Sequence, residues 1–285
     1  MTRRLERWIA VGSSSELDAE QAGCSAAAQA LGGPDPCLLL VFAWDEYDPE
    51  ALLGGVGDAA VGVPVIGCST AGEISAAGAQ ASSVVIVGLG GKGLRASTSY
   101  QEGASEDLRA AGAGAAACLQ NVPESEHRVL MLLTDGLAGD QQEIVRGAHS
   151  VAGGGVPLVG GCAGDGLKMK ATFQIHGDRV LRDSVVGAAI SSDAPIGVGI
   201  RHGWRRVGEP MLVTSSASNR VFRLDDQPAL DVYLDRLDAP ADARSDSANF
   251  TRFALTHPLG LSRRSVEEHV RFISDADFED RSLGS

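Results

Sequence analysis

The chain has 285 residues, of which 44% are hydrophobic and 21% are charged. This length suits two domains of ordinary size or one large domain, and this composition excludes a largely disordered chain. Acidic residues outnumber Lys and Arg by 37 to 24, and the resulting formal charge of −13 would repel nucleic acid and anionic membrane surfaces.

The sequence shows no sign of membrane insertion. The apolar stretch behind the first basic residues covers only positions 8–11, which is too short for a signal peptide, and no run approaches eighteen apolar residues. The five cysteines are an odd number without a CxxC pair, which favours reduced thiols over disulfides and gives no support for zinc. We therefore expect a cytoplasmic protein.

In chain order, the hydrophobic pattern first predicts a β-α-β-α-β unit. Strands are expected at residues 5–11, 38–43 and 63–67. A capping box at residues 15–18 opens a helix that runs to about residue 31, and a second helix begins at Asp48. A further strand-like run covers residues 83–89.

The same order of elements then recurs, displaced by about 88 to 94 positions. Strands are expected at 94–100, 129–134 and 156–160, helices at 105–120 and 139–152, and further strand-like runs at 184–191, 197–202 and 211–215. The sequence thus predicts two repeats, about 5–93 and 94–200. Strands this continuously apolar are buried on both faces, so we expect an α/β fold of layered mixed sheets covered by helices. Composition shifts near residues 200–230, which predicts a short second domain.

Two Gly/Cys turns, at residues 67–73 and 160–166, follow equivalent strands of the two repeats. Open α/β sheets bind ligands at the carboxyl ends of their strands, glycines let backbone amides approach a ligand, and the carboxylate in each turn can hold an ammonium group. The turns therefore predict a site for a small zwitterionic molecule, most simply an amino acid, between the two halves. The predicted ligand-binding residues are Cys68, Ser69, Thr70 and Glu73 from the first turn and Gly161, Cys162 and Asp165 from the second. The alternative is that both turns are purely structural.

Two motifs resemble those of enzymes. Residues 67–71 resemble a nucleophile elbow, so a hydrolase with Ser69 or Cys68 as the nucleophile is an alternative, although no histidine stands out as the base. Residues 88–93 match GxGxxG, but a strand-like segment follows, which predicts a hairpin turn instead of a dinucleotide site. With neither HExxH nor a P-loop in the sequence, we predict a protein that is not an enzyme.

Two histidines are candidate haem ligands. His176 lies in a turn between probable strands, and His202 precedes Gly203 and Trp204 at a strand end. A neutral imidazole beside an aromatic side chain suits an axial ligand of haem iron. The alternative for each is a hydrogen-bonding turn residue.

Five segments together resemble one known family. They read LLVF at 39–42, VIGCSTAGEI at 65–74, VGGCAGD at 159–165 with Phe173 close behind, GW at 203–204 ahead of Val213 and Thr214, and RVFRLDDQPALDVY at 220–233. In these segments the chain resembles the FIST family, the F-box and intracellular signal transduction sensory domain, over roughly residues 5–285. The resemblance implies a non-enzymatic sensory domain that recognises small ligands such as amino acids. One branch of the family binds haem and senses nitric oxide, which implies haem as the alternative cofactor.

The resemblance also implies a domain division and a class of partner. Residues 5–228 would form an N-type FIST domain, and residues 229–285 a C-type domain that is only partial, since the family's C-terminal half continues for several more strands. No output domain follows in the sequence. The signal would therefore pass to a separate protein such as a histidine kinase or a cyclic-di-nucleotide enzyme.

Overall fold

The computed structural model describes residues 7–76, 78–125, 127–200, 203–217, 219–261 and 269–284. It divides into two compact units, Met1–Gly199 and Ile200–Ser285. The domain division after residue 228, which follows from the family resemblance, stays a prediction. No helix in the described ranges is both long and apolar enough to cross a bilayer.

The first unit contains two successive sets of elements. The first set is β1 (Trp8–Ser14), α1 (Ala19–Ala30), β2 (Pro36–Trp44), α2 (Pro49–Ala59), β3 (Val65–Thr70), β4 (Glu73–Ser75), β5 (Gly78–Gln80) and β6 (Val84–Gly90). The second set is β7 (Leu94–Glu102), α3 (Leu108–Ala116), β8 (His127–Thr134), α4 (Gln141–Ala152), β9 (Leu158–Cys162), β10 (Gln174–His176), β11 (Arg179–Leu181) and β12 (Ser184–Ser192).

The sheet topology confirms the internal duplication. One sheet has the order β1-β6-β2-β3-β10-β11 and the other β7-β12-β8-β9. In both halves the last strand lies antiparallel between the first and the second, and the third strand pairs parallel with the second. The halves differ in their extra hairpin: within the described residues β4 and β5 form a sheet of their own, whereas β10 crosses over and pairs with β3 of the first half.

Alternate residues of each strand face two different layers. Leu39 and Val41 of β2 pack with the helices α1 and α2, whereas Leu38 and Leu40 join a core shared with residues of the second sheet such as Val129. The second sheet likewise packs one face against α3 and α4. The first unit is therefore a four-layer sandwich of helices, sheet, sheet and helices, which confirms the predicted layered α/β fold.

Each helical layer is held by a close crossing of two helices at glycines. A Cβ atom on Gly23 would overlap the carbonyl oxygen of Leu52, and one on Gly55 would overlap the carbonyl oxygen of Glu20. At the equivalent positions of the second half, Gly112 faces the carbonyl of Ile144 and Gly147 faces the carbonyl of Arg109. The duplication thus extends to individual backbone contacts.

Several predicted boundaries need correction. Asp48 caps α2 as predicted, but α1 begins behind Asp18, whose carboxylate accepts from the backbone N–H of Gln21 at 2.9 Å, so Ser15 lies ahead of the helix. The helix predicted at 105–120 ends as α3 at Ala116 and continues as a 3-10 turn. The GxGxxG segment joins β6 to β7 in the other sheet, so it does not form a hairpin. No strand covers residues 197–200 of the run predicted at 197–202, and residues 201–202 lie outside the described ranges.

The second unit has its own sheet and core. Its elements are β13 (Val213–Ala217), β14 (Arg220–Leu224), β15 (Gln227–Pro228), α5 (Ala229–Arg236), α6 (Ser247–Thr256), β16 (Leu259–Leu261), β17 (His269–Arg271), β18 (Asp275–Asp277) and β19 (Ser282–Gly284). The sheet order is β13-β14-β19-β18, with β15 beside β14. Tyr233 and Phe250 are fully buried at the centre, and the Tyr233 hydroxyl donates to the carbonyl of His257 at 2.6 Å.

Candidate functional site

The two Gly/Cys turns are in direct contact. The chain leaving β9 runs alongside the end of β3, where the N–H of Gly164 donates to the carbonyl of Ser69 at 3.0 Å. The N–H of Ser69 donates to the carbonyl of Phe173 at 3.0 Å, and the N–H of Phe173 donates to the Ser69 hydroxyl at 3.1 Å. The structure therefore brings together two segments that lie almost a hundred residues apart in sequence.

The thiols and small residues of these turns differ in exposure. Cys68 is buried and Cys162 is exposed. Burial, followed by the charge of Cys162, raises the pKa of Cys68 to about 12. Gly161 is exposed, and no described atom lies within 4 Å of the place its Cβ would occupy. Because Cys68 is held as a thiol and the Ser69 hydroxyl is buried, neither has the environment of an activated nucleophile.

The Glu73 carboxylate lies inside the fold, where it ties the first turn to the start of β6. It is 3% exposed and accepts from the Ser83 hydroxyl at 2.7 Å, from the Ser83 N–H at 3.2 Å and from the Thr70 hydroxyl. The Thr70 hydroxyl also lies 3.4 Å from the carbonyl oxygen of Ala43 at the end of β2. Glu73 therefore links the ends of three strands.

The Asp165 carboxylate organises the loop that follows the second turn. It is 4% exposed and accepts from the backbone N–H groups of Lys170 at 2.6 Å, Met169 at 3.1 Å and Ala171 at 3.2 Å. Burial acts to raise the pKa of Asp165, but these N–H groups outweigh burial and hold the pKa below its ordinary value. The carboxylate is thus stabilised in its charged form by its own loop.

We call residues 163–171 the strap. Its Lys168 ammonium lies 2.6 Å from a carboxylate oxygen of Asp45 and 2.5 Å from one of Glu46, both just behind β2. Leu167 and Met169 have left-handed backbone conformations, with φ of 66° and 53°, and their side chains are exposed. Such a conformation is costly for large side chains, so the strap is held in place by its ion pairs and by Asp165.

Sequence reasoning did not find Asp45, Glu46 or Lys168. The signal was present, because Asp45 and Glu46 directly follow a buried strand whose neighbour β3 runs parallel to it. Lys168, by contrast, gives no sequence signal for its partners, which lie more than a hundred residues away.

A family model confirms the resemblance. The model of the FIST N domain matches residues 37–227, which is more than half of the chain. The chain belongs to the FIST family. FIST domains are a family of signal-transduction sensory domains and are not a family of enzymes. No curated protein matches the sequence.

His176 of this FIST domain lies between the two sheets. Its ring stacks at a tilt on that of Tyr100, with 4.7 Å between centroids. Its Nε2 atom is buried, and among the residues that the structure describes it has no hydrogen-bond partner. Haem iron would have to reach this enclosed nitrogen, so the surroundings of His176 do not fit a haem ligand. His202 lies outside the described residues, and haem binding there stays a prediction.

The same burial predicts a pH-dependent stability of the FIST domain. Burial, with the charge of Arg179 adding to it, lowers the pKa of His176 below its ordinary value. The unfolded chain then binds a proton at a higher pH than the folded chain, so the folded state loses stability as pH falls below about 6.5. Allowing for solvent screening, we expect a loss of less than about 1 kcal/mol between pH 7 and pH 5.

Urea titrations of the wild type and of His176→Phe at both pH values measure this loss. The variant keeps an aromatic ring against Tyr100 but cannot titrate. The wild type should lose more stability than the variant on acidification, and parallel losses would show that His176 is not the titrating group.

Proposed function

We propose that this FIST domain is a sensor for a small zwitterionic molecule of the amino acid class, bound where its two Gly/Cys turns meet. The observation that carries the proposal is the direct contact of the two turns through Gly164 and Ser69, with a carboxylate in each turn. The binding residues would be Cys68, Ser69, Thr70 and Glu73 on one side and Gly161, Cys162 and Asp165 on the other.

The chemistry of this edge supports a ligand that carries an ammonium group. The carboxylates of Asp45 and Glu46 already hold the Lys168 ammonium there, and their hydrogen bonds raise its pKa. Glu73 lies close to the same edge, since the hydroxyl of Thr70 contacts both Glu73 and the carbonyl that precedes Trp44. An amino acid would add a carboxylate, for which the exposed backbone around Gly161 offers space.

The ligand would enter through a movement of the strap. Ser69 and Glu73 are buried in this conformation, and the strap passes directly over Ser69. A ligand can signal only by binding two conformations with different affinities. In this proposal the strap closed by Lys168 is one state, and the strap displaced by ligand is the other.

A thermal-shift panel of the twenty amino acids tests the proposal. A ligand at about one hundred times its dissociation constant stabilises the folded state by about 2.7 kcal/mol, which corresponds to a rise in Tm of about 5 °C or more for a unit of this size. We expect a saturable rise with at least one amino acid. A well-folded protein whose Tm none of them changes would contradict the proposal.

The variant Glu73→Gln separates binding from folding. The glutamine oxygen can accept from Ser83, and the hydroxyl of Thr70 can turn to accept from the glutamine NH₂ group, so the fold is kept. The negative charge that would attract an ammonium is lost, so we expect at least a tenfold weaker affinity. Glu106→Gln, an exposed change in the other half, serves as the control and should bind like the wild type.

The proposed sensor passes its signal to a separate protein in the cytoplasm. A histidine kinase or a cyclic-di-nucleotide enzyme is the class of partner that the family suggests. Pull-down of such an enzyme by the ligand-loaded domain, and its loss with Glu73→Gln, would support this step.

A further inference from the structure

The two helical layers of the first unit carry different charged side chains around equivalent helix crossings. A groove of about 390 Å³ lies between α3 and α4. Its lining residues are Arg109, Ala110, Ala113, Arg146, Gly147 and Ser150. Arg109 and Arg146 share a single carboxylate, that of Glu143, and their side chains are 64% and 57% exposed. The lining of the groove therefore carries two guanidinium groups over a floor of small residues, and the carboxylates of Glu143 and Asp107 lie beside Arg109.

The close glycine contacts between the helices show which residues of α1 and α2 correspond to the residues that line the groove. Gly23 corresponds to Gly112 and Gly55 to Gly147, because each faces the equivalent carbonyl. By the same offsets, Glu20 stands where the second half has Arg109. Gly54 stands in place of Arg146, and Asp58 in place of Ser150. The α1–α2 face thus has the same backbone crossing with acidic side chains around it.

The segment that carries the acidic face has no basic residue of its own. Residues 8–91 contain no Lys, Arg or His. Among the described residues, the exposed carboxylates of Glu20, Glu50 and Asp58 take part in no ion pair. These exposed carboxylates are therefore available to a basic surface.

We propose that copies of this chain associate head to tail, with the α3–α4 groove of one copy docked on the α1–α2 face of the next. The chain itself carries both of the complementary surfaces, which favours a second copy over a foreign acidic segment. The two faces lie on opposite outer layers of the sandwich, so the contact does not close into a dimer and leads to open chains of copies. The proposal is independent of the proposed ligand.

The size and charge of the faces set the strength of the association. α1 has 12 residues and is about 18 Å long, and two such helices bury less than the roughly 1,200 Å² of a stable interface. The association is therefore weak and electrostatic. Since each copy carries a charge of −13, it is strongest near 0.15 M salt, where long-range repulsion is screened over about 8 Å, and it weakens at about 1 M salt.

Sedimentation velocity at protein concentrations up to about 0.5 mM tests the proposal with two charge-reversed variants. One is Arg109→Glu with Arg146→Glu, and the other is Glu20→Arg with Asp58→Arg. The wild type should sediment faster as its concentration rises. Each variant alone should associate at least tenfold more weakly, because it presents like charges on both faces. An equimolar mixture of the two variants should regain the association, since their faces are again complementary.

Other outcomes overturn the proposal. A wild type that stays monomeric throughout overturns it, and so does association that persists in both variants. Binding of a fluorescein-labelled poly-glutamate peptide to the groove of a monomeric wild type would instead assign the groove to an acidic partner. Arg109→Ala with Arg146→Ala provides a milder variant, and far-UV circular dichroism confirms that each variant is folded.

Discussion

Replacing Gly55 by alanine lowers the free energy of unfolding of the first unit by about 2 to 3 kcal/mol. The added Cβ overlaps the carbonyl oxygen of Glu20 on the facing helix, and a backbone atom cannot move aside as a flexible side chain can. The two helices must separate, and every contact between them loosens. Urea denaturation followed by far-UV circular dichroism measures the change.

The same helix supplies matched controls. At Gly54 and Gly57 no described atom lies within 4 Å of the place that a Cβ atom would occupy, and neither glycine has a left-handed backbone conformation. Alanine at either position should stabilise the protein by about 0.5 to 1 kcal/mol through helix propensity. Gly147→Ala repeats the experiment in the second half and should resemble Gly55→Ala. A Gly55→Ala protein as stable as the wild type would mean that the helices do not cross this closely.

Replacing Glu73 by alanine lowers the free energy of unfolding by about 3 kcal/mol. The substitution removes a buried carboxylate that accepts from the Ser83 hydroxyl, the Ser83 N–H and the Thr70 hydroxyl. The buried Ser83 N–H loses the carboxylate that accepts its hydrogen bond, so its desolvation is no longer compensated. Chemical denaturation of Glu73→Ala, Glu73→Gln and the wild type measures the effect, and the glutamine variant should lie much closer to the wild type.

Three further variants, Glu106→Ala, Ser83→Ala and the double variant of Glu73 and Ser83, show whether the carboxylate acts through these bonds. Glu106→Ala, at an exposed position, should change stability by less than about 0.5 kcal/mol. In the double variant Glu73→Ala with Ser83→Ala the losses should not add, because both changes remove the same hydrogen bond. Additive losses would show that Glu73 stabilises the fold through contacts other than its hydrogen bond with the Ser83 hydroxyl.

The duplication and the layers of the first unit could be predicted from sequence because they depend on long apolar strands. β2 and β8 are buried on both faces, so each is a continuous hydrophobic run in the sequence, and such a run predicts a buried strand. The hairpin of β10 and β11 pairs with β3 of the other half, and strands of three residues carry too little pattern to reveal such a partner.

The position of the candidate site could be predicted from the sequence, but the orientation of its side chains could not. Glycine and cysteine behind equivalent strands indicated that the two turns correspond, and the structure places the turns in contact. The sequence does not show which way a side chain points. Glu73 and Asp165 were expected to face a ligand, and in this conformation both accept hydrogen bonds from their own chain. Whether they bind a ligand stays a prediction.

Because β10 and β11 cross into the sheet of the first half, the two halves of the duplication are not independent folding units. Two ancestral copies joined only by a linker would each keep a complete sheet and melt separately. Here β10 and β11, which complete the sheet of the first half, are encoded within the second half, so the first half cannot form its whole sheet alone. This one-way donation of strands ties the first half to the second, and a cut at their junction would leave the first half without two strands of its sheet.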